Sequence, residues 1–169
     1  MIPNRLTPIT HSQVDTGVSQ DEGHIVNTAS VAGLLAAPWM APYNASKHAV
    51  VGVSESLFHE LAAVGSRVGV SVLCPGFVRT HISDASRNWP VALGPVPDDQ
   101  EMPGSAEVRE AIRAAIESGT DPAVVAAAVR DAIVNGTFWI LTHAEFSDAI
   151  TARFGGAVEG RNPEPAGLL

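Results

Sequence analysis

Tyr43 and Lys47, within the stretch PYNASKHAV, are the only tyrosine and the only lysine of a 169-residue chain, and they stand four positions apart. On a helix that spacing places both side chains on one face, with Cβ atoms about 6 Å apart. A lone phenol, with a pKa near ~10, is a poor base at neutral pH. An ammonium within about 5 Å favours the phenolate, by roughly 3 kcal/mol at an effective dielectric of about 20, or about two pKa units before desolvation takes part of it back. The pair is therefore expected to move a proton to or from an oxygen at neutral pH. Ser30 lies thirteen residues before Tyr43, after a β-prone run, where α/β sheets present their ligand sites. A hydroxyl there polarises a carbonyl while the tyrosine handles the proton.

These groups need elements to hold them. HIVNTAS, from His24, predicts a short strand running into a small-residue turn, VAGLLAAP. A helix opens near Pro42. Its apolar line is Ala45, Ala49, Val53, Leu57, Leu61 and Val64, with a second line of Val51, Phe58 and Ala62 beside it, so that more than one face is expected to be covered. RVGVSVLCPG predicts the next strand, with Val68, Val70 and Val72 alternating with small residues before a Pro-Gly stop. Strand, helix and strand make a βαβ unit, which dictates parallel pairing and an α/β fold.

Downstream, residues 79–103 carry four prolines and Trp89 and lack a clear period, the composition of a long functional excursion or lid. Trp89 either lines a substrate pocket or anchors that lid. One helix is expected from Ser105, as N-cap, to Gly119, and another from Asp121, with Pro122 in its first turn and Gly136 past its end. TFWILTH predicts a final buried strand and AEFSDAITARF a short helix. Residues 1–22 read as an irregular arm, residues 23–154 as the folded domain and residues 155–169 as a flexible tail. There is no internal repeat.

The combination of Ser30, Tyr43 and Lys47 resembles the catalytic pattern of the classical short-chain dehydrogenases/reductases, a serine followed thirteen residues on by Tyr-x-x-x-Lys. CPGFVRT similarly resembles that family's Pro-Gly-x-Val-x-Thr turn, and VNTASVAG its preceding strand and turn. The likeness spans roughly residues 22–150. It implies a partial Rossmann-like, doubly wound parallel sheet, comprising the last three strands with flanking helices. It implies hydride transfer between NAD or NADP and an alcohol or carbonyl substrate, with Tyr43 as general acid/base. Lys47 would lower the tyrosine pKa and hold the nicotinamide ribose, and Ser30 would position the substrate oxygen. Pro75 and Gly76 would pass the nicotinamide, the Val78 backbone would hold its carboxamide, and Thr80 would reach the carboxamide or phosphates. In the family the helix over residues 43–64 usually meets a second subunit, so a homo-oligomer is expected.

The family's Thr-Gly-x-x-x-Gly-x-Gly turn, its Asn-Asn-Ala-Gly segment and its fourth catalytic residue, an asparagine, are absent from the sequence. Glycines of that turn let backbone approach the pyrophosphate at a helix N-terminus, so dinucleotide affinity is expected to be impaired and this truncated form is expected to lose activity. A non-catalytic remnant serving as an oligomerisation or interaction module is the alternative reading.

Bulk composition narrows the field further. With 46% hydrophobic and 17% charged residues the chain reads as a soluble globular domain. A net charge of −8 without a lysine or arginine cluster argues against nucleic acid or an anionic membrane surface as partner. No apolar run approaches membrane-span length and no signal peptide is evident, so a cytoplasmic location is expected. Cys74 is the lone cysteine and offers neither an internal disulfide nor a thiolate cluster for metal. His48 and His59, on one helix, would lie about 16 Å apart along its axis, too far to share an ion. The Gly-x-Ser-x-Gly elbow of serine hydrolases is missing. Val91, Leu93 and Met102 hint at a moderately hydrophobic alcohol or ketone.

Overall fold

The computed structural model describes residues 21–95 and 104–164; the expectations for residues 1–20, for residues 96–103 of the excursion, including Met102, and for residues 165–169 lie outside the described residues. Three parallel strands, β1 (His24–Thr28), β2 (Gly69–Cys74) and β3 (Trp139–Leu141), form one sheet in the order β1-β2-β3. Ile25 pairs with Val70 and Thr28 with Leu73, while Leu73 pairs on its other side with Ile140. Helix α1 (Ala41–Ala63) connects β1 to β2; α2 (Ser105–Glu117) and α3 (Pro122–Asn135) lie between β2 and β3; α4 (Ser147–Val158) follows. The predicted α/β class and parallel βαβ unit are what the chain adopts.

Helices cover both faces of the sheet. On one face Leu57 and Leu61 of α1 pack with Val68 and Val70, and Val51 packs with Val72 and Cys74. On the other, Val125 and Ala132 of α3 pack against Leu73 and Ile140. Central β2 is thus buried on both sides, Ser71 and Leu73 as fully as the valines, as expected of a parallel strand between two helical layers. Ser71 stays polar there because its hydroxyl donates to the Thr137 carbonyl at 2.6 Å and meets His24 Nε2 at 2.7 Å. Burial in turn holds the His24 pKa below its ordinary value, because a charged imidazole would lose its water.

Several elements depart from the sequence reading. Of the expected apolar line on α1, only Leu57 and Leu61 are buried; Ala45 and Ala49 are exposed, as are Val53 and Val64. The inward line is Asn44, Val51, Ser54, Leu57 and Leu61. Hydropathy misplaces it because two members are polar and find local partners: Asn27 donates to Ser54 Oγ at 3.0 Å, Ser54 donates to the Val50 carbonyl at 2.7 Å, and Asn44 Nδ2 donates to the Ala37 carbonyl at 2.8 Å, although the buried Asn44 Oδ1 has no partner among the described residues.

Strand β3 is not buried as a whole. Only Ile140 points inward, while Trp139 and Leu141 are exposed on its far side. The final helix runs past Phe154 through Gly155 and Gly156 to Val158. The excursion holds short 3₁₀ turns at Ile82–Asn88 and Val91–Leu93. Ser105 is the first residue of α2, and the cap position before it is taken by Gly104 in a left-handed conformation. The α3 boundaries follow the sequence signals: Asp121 accepts from the Ala123 N–H at 2.8 Å, and Gly136 closes the helix at φ 65°.

Candidate active site

Ser30 ends the turn out of β1. Its side chain caps the 3₁₀ turn Val31–Gly33 by accepting from the Ala32 N–H at 3.1 Å, and its hydroxyl lies 3.3 Å from the Pro75 carbonyl, to which it donates. The residue is 7% exposed. The hydroxyl therefore does serve as a turn former, but its bond to Pro75 is long for an O–H···O contact, whose usual length is about 2.7–2.8 Å. Such a donor is readily redirected to a better acceptor.

Helix α1 starts close beside this turn and brings in the other two groups. Pro42 sits in its first turn, where a missing N–H costs nothing, and Tyr43 and Lys47 follow at the expected one-turn spacing. Lys47 Nζ donates to the Thr28 carbonyl at 3.1 Å and lies 5.7 Å from the centre of the Tyr43 ring. Partial burial lowers the Lys47 pKa from its ordinary value, opposed by a smaller influence from Cys74. Cys74 lies buried at the end of β2, and loss of water pushes its thiol up to about 11, so it remains protonated at neutral pH.

Gly33 allows this close approach. A Cβ at that position would fall 2.7 Å from the Lys47 carbonyl oxygen and 3.0 Å from Val51 Cγ2, so α1 rests directly on the backbone of the turn that carries Ser30.

After β2, the Pro75–Thr80 segment forms another wall. Val78 bridges Thr120 in parallel fashion, with the Thr120 N–H donating to the Phe77 carbonyl and the Arg79 N–H to the Thr120 carbonyl, both at 3.0 Å. In an extended segment alternate residues direct their peptide groups to opposite sides. The Val78 N–H and C=O therefore face away from Thr120, leaving a donor and an acceptor beside the cleft that Val78 borders. Arg79 is held by Asp121 at 2.7 Å.

Ser30, Tyr43, Lys47, Pro75, Gly76, Val78 and Thr80 all border one cleft of about 530 Å³. Its remaining wall is largely apolar and comes from Met40 ahead of α1, Phe77, Ile82 of the excursion and Ile112 and Ile116 of α2. Val91 and Leu93, read from the sequence as hints of a hydrophobic substrate, are instead exposed at 94% and 64%, and the cleft is lined by others. Trp89 acts as an internal anchor, its indole N–H donating to the Gly94 carbonyl at 3.0 Å. His81 is exposed and pairs with Asp84 at 3.4 Å.

Sequence reasoning missed Thr120 and His143, which support the Pro75–Val78 turn from behind. A Pro-Gly stop followed by a β-branched residue signals a turn, but nothing local signals partners more than forty residues away. Among the described residues no cluster of three or more His, Cys, Asp or Glu side chains is arranged to hold a metal ion, and no helix is long and apolar enough to cross a membrane.

The short chain dehydrogenase family profile matches residues 8–91, beginning inside the stretch read from the sequence as an irregular arm. A CLA biosynthesis dehydrogenase/reductase of Lactiplantibacillus plantarum is 32% identical over 131 residues, covering 76% of this chain and 46% of that protein. Human 17-beta-hydroxysteroid dehydrogenase 13 is 40% identical over 86 residues, covering 49% of this chain and 29% of that protein. A crystal structure of a short chain dehydrogenase/reductase from Burkholderia phymatum, in complex with NAD, superposes with a TM-score of 0.81 at 40% identity over 90% of this chain and 56% of that one. The chain thus spans about half the length of these relatives or less. With this profile match, this fold and Ser30, Tyr43 and Lys47 gathered at one cleft, the chain belongs to the short-chain dehydrogenase/reductase family.

Proposed function

We propose that this chain carries the catalytic portion of an NAD(P)-dependent oxidoreductase that interconverts a carbonyl and an alcohol. The observation that carries this reading is the convergence of Ser30, Tyr43, Lys47 and the Pro75–Thr80 turn on one cleft whose remaining wall is largely apolar. The donor set fits a nicotinamide riboside. Lys47 has ammonium protons beyond the one given to Thr28 with which to bind ribose hydroxyls, and the outward N–H and C=O of Val78 complement a carboxamide.

Held by Lys47 and the Val78 backbone, a nicotinamide would supply the hydride for a ketone carbon or accept one from the corresponding carbinol. The remaining work falls to protein groups. Tyr43 gives its phenolic proton to the carbonyl oxygen as that oxygen gains charge, and takes it back in the oxidative direction. Lys47 stabilises the phenolate left behind. Ser30 turns its O–H from the Pro75 carbonyl to the substrate oxygen and stabilises the developing negative charge. Met40, Ile82, Ile112 and Ile116 favour a substrate whose flanking carbons are apolar, and their burial by substrate excludes water from the proton transfer.

Relatives with a solved cofactor complex include the NAD-bound Burkholderia phymatum protein, and the nicotinamide cofactor proposed for this chain is NAD or NADP. Titration of the purified chain with NADH and with NADPH, followed by cofactor fluorescence, tests the reading. Saturable binding of one of them, competed by its oxidised form, is the expected result. Absence of binding for both at millimolar concentration would leave the module reading in its place.

Val53 and Val64 on the outer side of α1 are 57% and 70% exposed. Combined with the family membership, this supports a second copy of the chain as the occupant of that helix face. A strictly monomeric sedimentation profile at tens of micromolar would remove this partner.

A further inference from the structure

His143 follows β3 by two residues and lies 67 positions from Gly76, yet its ring is held against the cofactor-side turn by several hydrogen bonds. The Gly76 N–H donates to His143 Nδ1 at 3.0 Å, and Nε2 lies 3.0 Å from the Phe77 carbonyl oxygen and 3.1 Å from Thr120 Oγ1. Thr142 Oγ1 lies 2.8 Å from Nδ1. A peptide N–H only donates and a peptide carbonyl only accepts. One tautomer satisfies both: Nδ1 bare, Nε2 protonated. The Thr142 hydroxyl then donates to Nδ1, and the Thr120 hydroxyl shares the Nε2 proton with Phe77.

Shape complementarity adds to the polar fit. A Cβ at residue 76 would meet Phe146 Cε2 at 2.6 Å and His143 Cγ at 2.8 Å, so the imidazole and the Phe146 ring lie directly against the glycine. Charged and titratable groups on the surrounding elements are Cys74 at the end of β2, Arg79 and Asp121, which pair with each other, and Glu145 on the turn after His143. None of them is a hydrogen-bond partner of the ring.

We propose that His143 is a positioning residue: its Nε2–H tautomer clasps the Pro75–Val78 turn to the end of β3 and so fixes the backbone that borders the nicotinamide end of the cleft. The clasp reads a donor on Gly76 and an acceptor on Phe77 at once, which no aliphatic side chain can do. This inference rests on the cofactor reading above. Its effect is structural, with His143 touching neither substrate nor cofactor.

Two measurements on the full chain decide it. Long-range proton–nitrogen correlation spectra of the histidine rings at pH 8 are expected to show His143 with bare Nδ1 and protonated Nε2, and a Gly76 amide resonance that shifts in His143→Leu. NADH and NADPH titrations are expected to show about tenfold or greater weakening in His143→Leu, with the far-ultraviolet circular dichroism of the parent, because the Gly76 N–H loses its acceptor and the Phe77 carbonyl keeps only the Thr120 N–H of its two donors. His143→Asn, which keeps an acceptor for the Gly76 N–H, is expected to fall between the two. An Nδ1–H tautomer in the parent, or leucine and asparagine variants that bind as tightly as the parent, would overturn the clasp. Should the leucine variant fail to fold, the parent tautomer and the asparagine titration decide between these outcomes. A parent chain that binds neither dinucleotide defeats the cofactor reading instead, while the ring tautomer and the Gly76 amide still decide whether the clasp exists.

Discussion

Tyr43→Phe is expected to slow any carbonyl reduction performed by this protein by roughly 10²–10⁴-fold, the usual contribution of a positioned general acid. The substitution removes one oxygen and keeps the ring. The Tyr43 hydroxyl has no hydrogen-bond partner among the described residues, so its loss leaves no buried group unsatisfied and stability should be unchanged. Lys47 retains its bond to Thr28 at 3.1 Å, and the Pro75–Thr80 wall is untouched, so NADH or NADPH should bind as in the parent. The measurement is a steady-state assay with an aryl or alkyl ketone beside a cofactor titration. Equal rates for parent and variant would assign the proton to another group. Loss of both rate and cofactor binding would mean that the hydroxyl also helps to hold the cofactor, beyond moving the proton.

The second large effect concerns how the site is assembled. Gly33→Ala is expected to destabilise the protein by about 2–3 kcal/mol, within the usual range for forcing a methyl into a packed interior. The added carbon would lie 2.7 Å from the Lys47 carbonyl oxygen and 3.0 Å from its carbonyl carbon. Those are backbone atoms of α1 and cannot rotate aside, so relief requires the helix to move off the turn. Such a movement separates Ser30 from Tyr43 and Lys47, and dinucleotide affinity should fall together with stability. A lower urea midpoint with an unchanged slope is the expected readout. A variant as stable as the parent would show that α1 does not rest on Gly33. Gly52 lies on the exposed side of the same helix, where an added Cβ would meet nothing within 4 Å, so Gly52→Ala serves as the control and should be neutral or mildly stabilising.

Much of the local structure was legible in the residues themselves. Tyr43 and Lys47 share a helix face because 3.6 residues per turn brings i and i+4 together whatever the surroundings. Asp121, Pro122 and Gly136 mark the limits of α3 because capping and left-handed closure are local. The parallel βαβ arrangement followed from two β-prone runs separated by a long helical pattern, since a crossover of that length excludes a hairpin.

Tertiary structure decided the rest. Which side of α1 faces the sheet depended on Asn44 and Ser54, polar residues whose burial is permitted by partners on Ala37, Asn27 and Val50; hydropathy alone turned the helix toward Val53. The exposure of Trp139 and Leu141 depended on β3 being the last strand among the described residues and on α3 covering only one of its sides. The support of Gly76 by His143 joins residues 67 positions apart. Local rules fix dihedral angles and spacing, so the sequence by itself determined the elements and the helix face that Tyr43 and Lys47 share. Which surfaces are covered, and which distant side chain holds the Pro75–Val78 turn, are properties of packing, and only the assembled chain determines them.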